Sequence, residues 1–121
     1  MADPQRLGRW GERKAEGLLR RKGFKTIARN LRSRFGEIDL VMLDRDGVLV
    51  FVEVKTRVDE RFQPVEAAVT YAKRQRIRRA VAGFLRQQRL PEMPMRCDVV
   101  AIAVGQKGQP QIRHYQGAFV P

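Results

Sequence analysis

The stretch Glu37-Ile38-Asp39-Leu40-Val41-Met42-Leu43-Asp44-Arg45-Asp46-Gly47-Val48-Leu49-Val50-Phe51-Val52-Glu53-Val54-Lys55 decides the fold. Glu37 to Leu43 and Val48 to Arg57 are rich in Val, Ile, Leu and Phe and read as two strands. A two-residue loop would set Asp39 opposite Val52. A three-residue loop, Arg45-Asp46-Gly47, sets Asp44 opposite Val48, Asp39 opposite Glu53 and Glu37 opposite Lys55. The second register is preferred, because a type I turn followed by a left-handed Gly is a common hairpin connection. Residues two apart on a strand share a face. Glu37, Asp39, Glu53 and Lys55 then gather at one end of a face that continues as Val41, Leu43, Leu49 and Phe51. The other face is Ile38, Leu40, Met42, Val50, Val52 and Val54. Both faces are apolar, as in a sheet covered on both sides.

Outward from the hairpin, Asp3 and Pro4 open a first helix with the stripe Leu7, Trp10, Gly11, Ala15 and Leu18, stopped by Gly23. Glu12 borders that stripe. Lys25 to Leu31 is a strand, followed by the polar turn Arg32-Ser33-Arg34-Phe35-Gly36. After a loop from Asp59 to Gln63, Pro64 opens a second helix with the stripe Val65, Val69, Ala72, Ile77, Ala80 and Phe84, ended by Pro91. Cys97 to Val104 is a fourth strand, Gly105 to Pro110 a turn, and Gln111 to Tyr115 a short edge strand. The order is helix, three strands, helix, strand, strand. The second helix makes a parallel crossover, so the expectation is an α/β sandwich around a mixed sheet, as one domain spanning residues 1–121.

The charge balance indicates the partner. Lys and Arg number 25 against 13 acids, a net charge of +12, while 43% hydrophobic residues exclude a disordered basic tail. Such an excess suits a polyanion, because neutralised phosphates release counterions. No apolar run is long enough to span a membrane, and no signal-peptide core precedes Arg6, so no membrane partner and a cytoplasmic location are expected. Cys97, the only cysteine, excludes an internal disulfide and a cysteine metal cage; it is expected to pack in the core. His114, the only histidine, rules out schemes that need two within one chain and is read as structural or superficial. Trp10 is read as core rather than as a stacking platform for bases.

The opposed carboxylates carry the chemistry. Directly opposed strand residues have Cβ atoms roughly 5 Å apart, close enough to share one hard divalent cation. Asp39 and Glu53, with the Val54 carbonyl, are the expected ligands of Mg²⁺ or Mn²⁺, and Glu12 can add a ligand through water. Lys55 can then position an attacking water or neutralise charge that develops on phosphorus. The competing reading is a salt-bridged patch on a strand. The nearby Glu12 and the +12 charge tip the balance to metal.

Phosphate contacts are expected from Arg29, Arg32 and Arg34, just before the Asp39 strand, and from Lys73, Arg74, Arg76 and Arg78. From Ala67 to Pro91 there is no acid at all, whereas a helix meant only to be soluble would intersperse Glu. Lys73 falls within the apolar stripe, so its stem can pack while its ammonium reaches the end of the sheet.

These segments resemble a known family. Gly8-Arg9-Trp10-Gly11-Glu12, Arg29-Asn30, Gly36-Glu37-Ile38-Asp39-Leu40, Val52-Glu53-Val54-Lys55-Thr56-Arg57 and Cys97-Asp98-Val99-Val100 resemble the YraN-type family of small bacterial proteins over nearly the whole chain. The resemblance implies a restriction-endonuclease-like core of the PD-(D/E)XK nuclease superfamily, similar to archaeal Holliday junction resolvases. It matches Asp39 to the first motif acid, Glu53 and Lys55 to the second motif, and Glu12 to the helix carboxylate; Ile38 stands where the superfamily often has Pro. The implied activity is metal-dependent endonucleolytic hydrolysis of DNA, branched DNA included, and a two-fold substrate would call for a homodimer. RNA stays open as a partner. The alternative is a binding module that keeps the fold without catalysis.

Overall fold

Asp44 settles the hairpin register. Its carboxylate accepts the N–H groups of Asp46 and Val48 at 2.8 and 2.9 Å, and its own N–H donates to the Val48 carbonyl at 3.0 Å. Gly47, at φ +84°, takes the left-handed position of the three-residue loop. The strands on either side pair Leu43 with Leu49 and Leu40 with Val52, the register expected from the loop chemistry. The computed structural model describes residues 3–34, 36–58, 69–105 and 109–121.

In chain order the elements are α1 (Pro4–Arg21), β1 (Lys25–Ser33), β2 (Gly36–Leu43), β3 (Leu49–Arg57), α2 (Tyr71–Gln88), β4 (Met95–Ala103) and β5 (Gln111–Phe119). The five strands lie side by side in sequence order. β3 and β4, joined through α2, are parallel; the other neighbours are antiparallel, so the α/β class, the mixed sheet and the edge position of β5 are as expected. Two apolar layers cover the sheet. Val41, Leu49, Phe51, Cys97 and Val99 pack with Ile77, Val81 and Phe84 of α2. Leu40, Met42, Val50, Val52, Val100 and Ile102 pack with Ala15 and Leu19 of α1, with Trp10 half-buried at the margin.

Several boundaries and faces differ from the sequence-based expectation. The buried line of α1 is Gly11, Ala15 and Leu19, a strict four-residue spacing, and Leu18 is only half-buried beside it. Gly11 sets how closely α1 approaches β3, because a methyl there would land on the Thr56 hydroxyl. The turn expected over Arg32 to Gly36 is shorter, since Arg32 and Ser33 still pair with Glu37 and Gly36. α2 begins after Thr70, which is extended and whose hydroxyl accepts the Lys73 N–H at 3.2 Å as its N-cap. Ala72, on the first turn, is exposed. The loop from Asp59 to Gln63, Pro64 and Val65, and residues 106–108 of the turn from Gly105 to Pro110, lie outside the described residues. β5 runs on to Phe119, past Tyr115.

One departure shapes the site. Ile38 and Leu40 should share a face, yet Ile38 packs on the α2 side and Leu40 on the α1 side. Opposite them on β1, Asn30 has φ +50°, and the paired residues Arg29↔Leu40 and Leu31↔Ile38 flank it. A left-handed residue breaks the pleat of a strand pair, so alternation fails locally and β2 turns over at Asp39.

Candidate functional site

Asp39 lies where β2 leaves β3. The backbone ladder between them ends at Leu40↔Val52, and beyond it the Asp39 carboxylate replaces a backbone partner by accepting the Val54 N–H at 2.8 Å. On a strand the N–H and C=O of one residue point the same way, so the Val54 carbonyl is also directed to β2's side. Glu53 is 8% exposed, and its Oε1 lies 2.7 Å from Lys73 Nζ and 3.3 Å from Lys55 Nζ. The Asp39 carboxyl is pushed up to about 8, first by burial and then by the negative field of Glu53; Glu12 adds to this, while the Val54 N–H and Lys73 oppose it. Half-buried Glu12 of α1 is held above the usual carboxylate range by burial. A hydrogen bond from the Asn30 side chain offsets part of that rise, and the fields of Glu37 and Glu53 add to it. Glu12, Asp39 and Glu53 thus sense one another's charge.

Asp39 and Glu53 face an open hollow of about 540 Å³ between the β1–β2 turn and α2. Arg32, Arg34, Lys73 and Arg76 line it together with Glu37, Asp39 and Glu53. Gly36, at φ +152°, closes one side of it. A Cβ there would stand 2.8 Å from the Arg76 carbonyl oxygen, so only Gly lets the turn touch α2. Glu37 sits on the rim and, rather than facing Lys55, bridges to Arg32 at 3.2 Å, because β2 pairs there with β1 and no longer with β3.

The other expected phosphate ligands lie elsewhere. Arg29 is held by Glu16, Nη2 to Oε2 at 2.7 Å and Nε to both oxygens at 3.0 Å, and lines a different hollow. Arg78 donates through Nε to the Val120 carbonyl at 2.9 Å, with its guanidinium 6.0 Å from the Phe119 ring centroid. Arg74 lines a hollow with Val69, Tyr115 and Phe119 beside β5. α2 therefore turns Lys73 and Arg76 toward the carboxylates and Arg74 and Arg78 toward β5.

A second charged cluster was not foreseen from the sequence. Asp98, fully buried on β4, accepts from Arg96 Nε at 2.9 Å and the Gly117 N–H at 2.9 Å, and lies 2.8 Å from His114 Nε2. Arg96 also reaches Asp44 at 2.6 Å, and His114 Nδ1 lies 3.0 Å from Lys22 Nζ. The Asp98 carboxyl is held below the usual range: burial opposes this, and the hydrogen bonds from His114, Arg96 and Gly117 overcome it. The cluster ties β4 to β5 and to the hairpin tip, so His114 is structural and its side chain is buried. The signal was a lone acid in an apolar strand, Cys97-Asp98-Val99-Val100. Buried Cys97, its thiol pushed up to about 12 by desolvation, is a core residue.

Fold and site together define a small α/β protein with a mixed sheet, whose β2–β3 end carries buried Glu53 and half-buried Asp39 under a basic rim. The chain belongs to the family described as Uncharacterised protein family UPF0102, whose model matches residues 11–102. It is 44% identical over 119 residues to a UPF0102 protein of Rhodococcus opacus, covering 98% of this chain and all of the relative. A UPF0102 protein of Symbiobacterium thermophilum is 44% identical over 115 residues, 95% of this chain and 97% of its own. One from Trichlorobacter lovleyi is 37% identical over 115 residues, 95% and 91%. Among the described residues, no helix is long and apolar enough to cross a membrane.

Proposed function

We propose that this protein is a metal-dependent nuclease of restriction-endonuclease-like architecture, with Asp39 and Glu53 holding Mg²⁺ or Mn²⁺ and DNA as its substrate. The observation that carries the reading is the crowding of Asp39 against Glu53 beneath Arg32, Arg34, Lys73 and Arg76. Acids in that position are costly unless a cation joins them, and cations above them suit phosphate. Among the described residues no three His, Cys, Asp or Glu side chains form a metal-binding group. The proposed donor set is two carboxylates and the Val54 carbonyl, which suits a hard ion that keeps several waters.

When bound, the ion would supply Lewis acidity toward a phosphodiester oxygen and a more acidic water. The chain's own residues do the rest. Lys55 and Lys73, both on Glu53, stand where negative charge grows on the phosphoryl oxygens. Arg32, Arg34 and Arg76 hold the flanking backbone without reading bases. Glu12, whose carboxyl is held above its ordinary value by burial, is placed to orient a water or pass a proton at the edge of the site.

A non-catalytic nucleic-acid-binding module is the second reading. Its support is that Glu53 is already neutralised by two lysines. A panel of linear duplex, single-stranded and four-way-junction DNA and matching RNA, each with Mg²⁺, Mn²⁺ or chelator, separates the two. Metal-dependent cleavage of any member supports the nuclease. Binding without cleavage across the panel supports the module.

A further inference from the structure

The cations that line the main hollow, Arg32, Arg34, Lys73 and Arg76, lie on the α2 side of the sheet, but α1, on the opposite side, carries its own. At about 100° per residue, Arg6, Arg9, Arg13 and Arg20 fall within about 60° of one another, away from the buried line of Gly11, Ala15 and Leu19. All four are exposed, and Arg6, Arg9 and Arg13 form no salt bridge with a described residue. The helix has two acids to set against them, and both are engaged inward. Glu16 accepts from Thr26 at 2.6 Å and is bridged by Arg29, and Glu12 is bonded to Asn30. Asp3, the N-cap, is occupied by the Gln5 N–H at 2.9 Å, the first turn itself contains no acid, and Arg6 sits near the positive end of the helix dipole, where a cation is unfavourable. A helix face selected only for solubility would not accept that arrangement.

The stripe joins the site. Arg9 and Arg13 line a hollow of about 110 Å³ with Glu12, Glu16, Arg29 and Asn30, and Glu12 senses Glu37 and Glu53. Gly11 seats this half of α1 against Thr56, near the end of β3 that carries Glu53 and Lys55. From Arg6 to Arg20 the stripe spans about 21 Å, roughly six base steps of one strand. A mononucleotide in the main hollow cannot reach along it, whereas a duplex can. The exposed large apolar side chains lie outside α1, whose own apolar line is buried, so the stripe lacks the anchors of a membrane-surface helix.

We propose that the Arg6–Arg9–Arg13–Arg20 face of α1 is a second phosphate-binding surface, which holds double-helical nucleic acid across the β2–β3 end of the sheet. This rests on the nucleic-acid reading of the main hollow but uses different residues. The test is fluorescence anisotropy of a duplex of about 20 base pairs in chelator at several salt concentrations, with wild type, Arg9→Ala/Arg13→Ala and Arg76→Ala. Each phosphate contact contributes about 0.9 to the slope of log affinity on log salt. The α1 double variant is expected to lower that slope by about 1.8, while a trinucleotide binds it as it binds wild type. If Arg76→Ala lowers the slope and the double variant does not, the α1 surface is refuted and the main hollow stands. If only the double variant lowers it, the α1 surface stands and the Arg76 contact is refuted. No duplex binding by wild type overturns both. Loss of phosphatidylglycerol-vesicle binding by the double variant, with duplex affinity unchanged, would overturn the proposal in favour of a membrane surface.

Discussion

Removing the Asp39 charge should strengthen the metal-free fold. Its carboxyl is pushed up to about 8, chiefly by burial and then by Glu53. In the unfolded chain the same group titrates near ~4. Between those values the folded state keeps a proton that the unfolded state has released, so stability falls as pH rises through that window. At about 1.36 kcal/mol per pH unit, the penalty at pH 7 has an upper bound of about 4 kcal/mol. Sharing of charge with Glu53 and water at the mouth of the hollow reduce it. Asp39→Asn keeps the shape and an acceptor for the Val54 N–H, so a gain of about 1–3 kcal/mol is expected in chelator at pH 7.5. Urea unfolding reads it directly, and the gain should shrink as the pH is lowered toward 4. Added Mn²⁺ should stabilise the wild type and leave Asp39→Asn unmoved. A loss of stability in chelator would refute the reasoning, because Asp39 would then be an ordinary structural acceptor.

Changes at three further residues have outcomes that follow from the geometry. Asp98→Ala leaves the Gly117 N–H without its acceptor and takes a buried partner from Arg96, which keeps Asp44, and from His114, and should cost about 3–5 kcal/mol by urea unfolding. Arg29→Ala, at an exposed bridge, should cost under about 1 kcal/mol. Because the Asp98 carboxyl is held low, its contribution is complete above the ordinary carboxylate range and is lost as pH falls through its folded value; an acid titration of wild type against Asp98→Ala should show that part of the acid sensitivity missing in the variant. Gly11→Leu should cost about 1–3 kcal/mol by overpacking against Thr56, with part of the loss recovered by a second change, Thr56→Ala.

The hairpin was legible because its information is local: Asp44 and Gly47 specify a three-residue loop, and strand alternation then brings Asp39 toward Glu53. Both apolar sheet faces and the parallel crossover through α2 could be read for the same reason. The face change at Ile38 could not, because it comes from Asn30 on a neighbouring strand adopting a left-handed conformation. The aim of the α2 arginines depends on how the helix is rotated against the sheet. Ile77, Val81 and Phe84 set that rotation, which sends Arg74 and Arg78 to β5 and leaves Arg76 at the carboxylates. The surroundings of Arg29 and Glu37 could not be read, because their partners, Glu16 and Arg32, sit on other elements. The Asp98 cluster draws on the hairpin tip, β4 and β5, a convergence that no single window of sequence contains.

The most direct test of the account is single-turnover cleavage of a four-way junction in Mn²⁺ by wild type and Lys55→Ala, purified identically. Lys55 is placed for charge that grows only in the transition state, so the account predicts cleavage by wild type and a rate lower by about a hundredfold or more in the variant. DNA affinity should be nearly unchanged, because Arg32, Arg34 and Arg76 remain. Equal cleavage by the two proteins, or tight binding with no cleavage by either, would contradict a catalytic site built on Asp39, Glu53 and Lys55.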